Sequence, residues 1–337
     1  MIQKLTIAGT VLVATTVVTA EEPPAKELNR WEKRLRDKNL TAKQRVAYDQ
    51  FAKLHTVTLF QWDERGTLKM PSFDPESKVP TDVLHRMGVD ALPFLAEALD
   101  DETPTATVTT NSKGGMVRRH VWQVNELAAR LVWLIADRDF ILGEPNMEVS
   151  VRDVGAHPKL APEFHKLVVD WHAKFAAKTP TERKLADVTD PLFRNRFDAI
   201  IWLGEDRAKE GRRAIEARID GYYDDPKRSL DSTSRSEMTY CALALGQIGD
   251  KASLPQVRRV CEDMSYTVYM AYRPTNGWGV GSGMNADLFR AYRGLTLLGK
   301  KDEAVKELNR LLTEYGPKMD ETKRKEFEQH LAEAKGF

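Results

Sequence analysis

The chain has 337 residues, with 51 Lys+Arg against 50 Asp+Glu and two cysteines. A composition of 42% hydrophobic and 30% charged residues excludes wholesale disorder and a multispan membrane protein. Near-zero net charge gives no whole-molecule field for nucleic acid or anionic lipid. Two cysteines cannot staple a disulfide-dense small scaffold.

From the N-terminus, the first expected element is an export signal. Lys4 precedes Leu5 to Val18, a mostly apolar run broken only by Thr and Gly. Val18-Thr19-Ala20 is a small-residue cleavage site, and Glu21-Glu22-Pro23-Pro24 reads as the mature start. The run is shorter than the roughly 20 residues a spanning helix needs. The alternative is a single N-terminal anchor. No cysteine stands at the cleavage point for lipid attachment. Removing residues 1–20 takes away Lys4 alone and leaves 50 basic against 50 acidic residues. The expected location is the periplasm or the extracellular space, with no membrane contact after cleavage.

The remainder reads as helices separated by turns. Thr41-x-x-Gln44 is a capping box that opens a helix to about Leu54. Thr56 to Met70, around Asp63-Glu64-Arg65-Gly66, and Thr105 to Met116, around Lys113-Gly114-Gly115, are candidate β-hairpins. Val121-Val124-Leu127-Ala128-Leu131-Leu134-Ile135 has the 3–4 spacing of a helix with one buried face. Thr179-Pro180-Thr181-Glu182 is a second capping box with Pro in the first turn, and Ser234-x-x-Glu237 is a third. Helical spacing returns in Ala214-Ile215-Ile219 and Val305-Leu308-Leu311-Leu312.

Internal repetition organises these elements. Ala242 to Pro255 (ALALGQIGDKASLP) and Gly88 to Asp101 (GVDALPFLAEALDD) share a Gly/Asp turn followed by an Ala/Ser-Leu-Pro helix start. Looser copies run from Ile200 to Asp206 and from Leu295 to Ala304. Leu-Gly pairs fall at 203, 245 and 298, separated by 42 and 53 residues. The phrase resembles the bacterial form of the HEAT repeat, most closely at 242–263, and the 295–315 copy also resembles a tetratricopeptide-type repeat. On this reading Gly turns the chain out of one helix, Asp caps the next, and Pro sits in its first turn.

The resemblance implies an all-α solenoid of stacked antiparallel helix pairs, with long loops inside the repeats and one or two small hairpins. The expected organisation is an N-terminal helical part at 21–180, with one repeat near 85–136, and C-terminal repeats at 181–337. Short connections alternate with long ones at Glu102–Val117, Asp224–Thr233 and Met264–Met284, so most long loops should share one edge of the stack. Val57–Pro80 fits the same slot, whereas Ile141–Leu160 would face the other edge. Long loops in compact proteins are often functional.

The 264–284 stretch is the richest. It holds Tyr266, Tyr269, Tyr272, Arg273 and Trp278 among four glycines. Tyr, Trp and Arg are the residue types of binding hot spots, and aromatic faces also stack on sugars or cations. The competing reading extends the helix, so that the tyrosines pack and the glycines only turn the chain. The glycines are no phosphate loop, because no Lys-Ser/Thr follows them.

Catalytic constellations are not apparent. His165 and His172 are seven apart, two helical turns, or about 10 Å of rise, which is too far for one zinc ion. No His-Glu dipeptide occurs, unlike in the HEAT-repeat di-iron hydroxylases. His85, His120 and His157 are scattered. Gly279-Val280-Gly281-Ser282-Gly283 lacks the nucleophile-elbow spacing. Acidic pairs such as Asp63-Glu64, Asp100-Asp101 and Asp224-Asp225 read as caps and solvated faces. Arg118-Arg119-His120 and Arg212-Arg213 read as solvated or ion-paired, with anion binding as the alternative. Asn39-Leu40-Thr41 is a sequon, though Thr41 already has a capping role.

Alignment with Leu99 places Cys261 at an apolar position. Two free buried thiols, or a disulfide between Cys241 and Cys261 that export would permit, are both compatible. The expectation is therefore a non-catalytic exported scaffold, without cofactor or metal, that binds a protein partner and no nucleic acid. The alternatives are a HEAT-like enzyme or subunit, as the existence of bilin lyases of this fold permits, and a carbohydrate-binding module using the aromatic loop. A cleft joining His120, Glu126, Asp137 or His165 would favour the enzyme.

Overall fold

A computed structural model describes residues 28–54, 76–113, 116–143, 148–190, 192–227, 232–272 and 284–336. The expected signal segment and the expected 56–70 hairpin lie outside them, as do Asp63 and Glu64. The N-terminal part opens with α1 (Arg30–Arg34), α2 (Ala42–Lys53), α3 (Pro80–Arg86) and α4 (Leu92–Glu97). Asn29 and Thr41 cap α1 and α2 through complete capping boxes. Pro93 takes the harmless first-turn position of α4. A hairpin of β1 (Pro104–Lys113) and β2 (Met116–Gln123) follows at the expected place, with Thr109 opposite His120. Next come α5 (Val124–Ala136), the two-residue strands β3 (Ile141–Leu142) and β4 (Val149–Ser150), and α6 (Ala161–Phe175).

The apolar stripe read from Val121 onward enters α5 only at Val124; Val121 is on β2 and 46% exposed. Trp31, Tyr48, Phe51, Leu95, Leu127 and Phe164 belong to one buried core. Asp101, read as a solvated cap, is buried here. Its carboxylate accepts from the Trp31 indole N–H at 2.6 Å and from the Thr103 amide at 3.0 Å. Its neighbour Asp100 pairs at the surface with Arg30.

The C-terminal part comprises α7 (Pro180–Asp187), α8 (Phe193–Glu205), α9 (Arg212–Asp224), α10 (Ser232–Ile248), α11 (Leu254–Ala271), α12 (Met284–Leu297), α13 (Lys301–Tyr315) and α14 (Glu321–Gly336). The Thr179 capping box opens α7 as expected. Ser234 lies inside α10, so the third expected box does not form. Its Glu237 is instead buried and bound to Arg196 and Arg218. Successive helix pairs share a second core that runs from Val188 to Leu331. Helices α8, α10 and α12 lie side by side in one layer, and α9, α11 and α13 form the other.

The fold is thus the expected all-α solenoid, but the Leu-Gly pairs work differently from expectation. Gly204 and Gly246 are helical. A Cβ on Gly246 would fall 2.6 Å from Gly294 Cα, and one on Gly204 2.7 Å from Ala244 Cα. These glycines let the backbones of neighbouring repeats touch. The turns are made by Gly249 (φ +79°) and Gly299 (φ +81°), with Arg207 (φ +52°) after α8. Leu298-Gly299 therefore matches Ile248-Gly249, three residues out of the assumed register. Asp250 caps the next turn and Pro255 lies in the first turn of α11, both as expected.

The two cores meet across polar contacts. Arg138 bridges Asp187 at 2.5 Å and Asp190 at 2.7 Å. The Asn195 amide donates to the Asp139 carbonyl and accepts from the Asp139 N–H. Lys184 holds Asp137, whose φ of +51° ends α5. Removing one partner of such a buried pair leaves an uncompensated charge and is destabilising.

Candidate interaction surface

Of the residues singled out at 264–284, Tyr266, Tyr269 and Tyr272 are described. Arg273 and Trp278 lie outside the described residues. Tyr266, Tyr269 and Tyr272 do not begin a loop at Met264, because α11 continues through Ala271. Val257, Val260, Cys261, Met264 and Val268 hold the helix to the core. The tyrosines, spaced by three, form an adjoining stripe on the same helix.

That stripe is graded in burial. Tyr266 is 59% exposed and Tyr269 38% exposed, and their rings are 6.0 Å apart. Tyr272 lies lower and stacks on Tyr315 at the end of α13, with centroids 6.2 Å apart and planes 20° apart. Tyr269 meets the same Tyr315 edge-on at 6.5 Å. Burial, with a smaller contribution from Asp320, raises the Tyr272 phenol above the usual tyrosine range. Its hydroxyl is buried without a hydrogen-bond partner among the described residues. The ring packs against Tyr315 instead of facing solvent. Two packed rings thus support two exposed ones where α11 and α13 both end. Tyr315 was missed at the sequence level, although Leu308-Leu311-Tyr315 continues the α13 stripe and carried the signal.

Two further features belong to the C-terminal part. A cleft of about 260 Å³ between α10, α12 and α14 is lined by Leu243, Phe289, Arg293, His330 and Glu333 among others. In it the His330 ring lies 4.6 Å from that of Phe289, and its Nδ1 is 3.1 Å from Glu333. Cys241 and Cys261 are buried and unbonded. Burial pushes both thiols far above the ordinary cysteine range.

Of the groups named for a catalytic cleft, His120 and Glu126 meet and Asp137 stands apart. His120 Nε2 lies 2.9 Å from Glu126, but Asp137 ends α5 eleven residues further on and pairs with Lys184. Eleven residues of helix span roughly 16 Å. His172, on the α6 face toward Lys43 and Asp90, has its pKa lowered, chiefly by burial. Among the described residues no group of three or more His, Cys, Asp or Glu is placed to hold a metal ion. No helix among them is long and apolar enough to cross a membrane.

Residues 239–263 match the family model described as PBS lyase HEAT-like repeat. The match covers the last part of α10, the Gly249-Asp250 turn and the first half of α11, which is one helix–turn–helix unit of the stack. The tyrosine stripe begins immediately after this HEAT-like unit. No curated protein and no solved structure matches the chain. The helical-repeat scaffold is therefore what the family model and the architecture agree on.

Proposed function

We propose that this chain is an exported, non-catalytic scaffold that captures a protein partner on the edge where α11 and α13 end. The observation that carries the reading is the pair of exposed rings, Tyr266 and Tyr269, held on a rigid helix above Tyr272 and Tyr315. Tyrosines supply large contact area at small entropic cost, and truncating a hot-spot ring costs about 2 kcal/mol or more. Arg273 and Trp278, which follow in the sequence, are of the same hot-spot residue types.

The test is capture from the exported fraction of the native host, followed by measurement of the identified partner's affinity. Tyr266→Ala/Tyr269→Ala should bind about thirtyfold more weakly or worse, while the chain stays folded with a Tm lowered by the lost Tyr269–Tyr315 contact. Equal affinity of variant and parent would overturn the proposed surface. A glycan-array signal abolished by the same variant would replace the protein partner with a carbohydrate. Absence of the chain from the exported fraction would remove the export part of the proposal.

A further inference from the structure

We infer that Arg130 anchors an oxyanion-binding site at the base of the β1–β2 hairpin, taking one phosphate or carboxylate group. Arg130 is half-buried on α5 and makes no hydrogen bond or ion pair among the described residues. That contrasts with Arg138, Arg152, Arg196, Arg218 and Arg290, also partly buried, which each have a carboxylate within 3.2 Å. Asp153 and Glu126 act on Arg130 only through space, not at hydrogen-bond distance, and a partly buried guanidinium whose donors are unmatched gains from a ligand that completes them.

The surroundings leave Arg130 available. The carboxylate one turn before it, Glu126, is already engaged. Both oxygens lie 2.9 Å from His120 Nε2, and one accepts the Gln123 N–H at 2.8 Å. Arg152 reaches the neighbourhood from the segment after β4, but it is bound to Asp139 at 2.8 Å and lies over Trp133 at 5.0 Å. Gly155 brings this segment against α5, since a Cβ there would fall 2.6 Å from Glu126 Cγ.

One wall of the site is Trp122. Its ring lies 5.8 Å from the Arg130 guanidinium and 5.7 Å, edge-on, from His120. A planar donor fork against an aromatic wall matches the two-oxygen edge of phosphate or carboxylate. Burial first, and the Arg152 charge second, push the Arg130 pKa below the usual arginine range, while Asp153 and Glu126 oppose this. The negative charge of a bound anion would act in the opposite direction to both effects. Nothing in this site depends on the tyrosine edge, so the two proposals stand or fall separately.

The experiment titrates inorganic phosphate and, in a second arm, acetate into the full chain at constant ionic strength. Thermal unfolding and the Arg130 Nε–Hε resonance are followed together. The expected result is a saturable rise in Tm and a saturable shift of that resonance. Arg130→Gln should weaken binding at least about tenfold, and Arg130→Lys, which keeps charge without the fork, should fall between. Preference for phosphate or for acetate identifies the group. The site is refuted if neither anion gives a saturable response in the parent chain, or if Arg130→Gln binds as the parent does. Should Arg130→Gln fail to fold, the parent resonance shift and the Arg130→Lys affinity decide.

Discussion

Replacing Gly294 by Ala tests whether backbone contact between α10 and α12 holds the repeats together. A Cβ on Gly294 would run into the Ala242 carbonyl, and its carbonyl carbon would be 2.7 Å away. The obstacle is main chain on a neighbouring helix and cannot swing aside, so the two helices must separate. Overpacking of this kind costs about 1–3 kcal/mol, with the rigid obstacle favouring the upper half. Ala is better than Gly inside a helix by about 0.8–1 kcal/mol, which leaves a net loss of about 1–2 kcal/mol. Gly221 in α9 is the internal standard: it is exposed and a Cβ there meets nothing within 4 Å. Gly221→Ala should therefore keep only the propensity gain, about 0.5–1 kcal/mol. Urea unfolding followed by circular dichroism measures both, with m expected to be unchanged. If Gly294→Ala is as stable as Gly221→Ala, the close approach does not bear the role assigned to it.

Two further outcomes follow from the C-terminal core. Glu237 is buried and accepts from Arg196 at 3.2 Å and Arg218 at 2.6 Å. Its replacement by Ala strands two partly buried guanidiniums and should cost about 3–5 kcal/mol in urea unfolding. A loss below about 1 kcal/mol would mean that water reaches and satisfies both arginines. Cys241 and Cys261 should both resist Ellman's reagent in the native chain and titrate as two thiols in guanidinium, because burial denies them water and the thiolate form. No thiol released on denaturation would show a disulfide instead.

The helical repeats were legible because their signals are local. Capping at Thr41 and Thr179, Pro255 after the Asp250 turn, and the β1–β2 hairpin each follow from a few adjacent residues. The misreadings share one cause. Gly246 looks like a turn residue until the α12 backbone is brought beside it. Asp101 looks like a cap until Trp31, seventy residues earlier, presents its indole N–H. Glu237 looks like half of a capping box until Arg196 and Arg218 arrive from other helices. A polar or small residue declares its partner only in three dimensions. An apolar stripe declares its face along the chain.

The tyrosine edge shows what the correct helix boundary changes. Met264 and Val268 continue the 3–4 spacing of Val257, Val260 and Cys261, so the sequence did contain the last two turns of α11. Those turns convert Tyr266 and Tyr269 from loop residues into side chains on a stiff element. A loop would lose backbone freedom on binding, at about 1–2 kcal/mol per residue ordered. A helix already packed through Val268 and supported by Tyr315 has met that cost in folding. The same two rings can therefore contribute more of their contact energy to affinity from α11 than they could from a flexible loop.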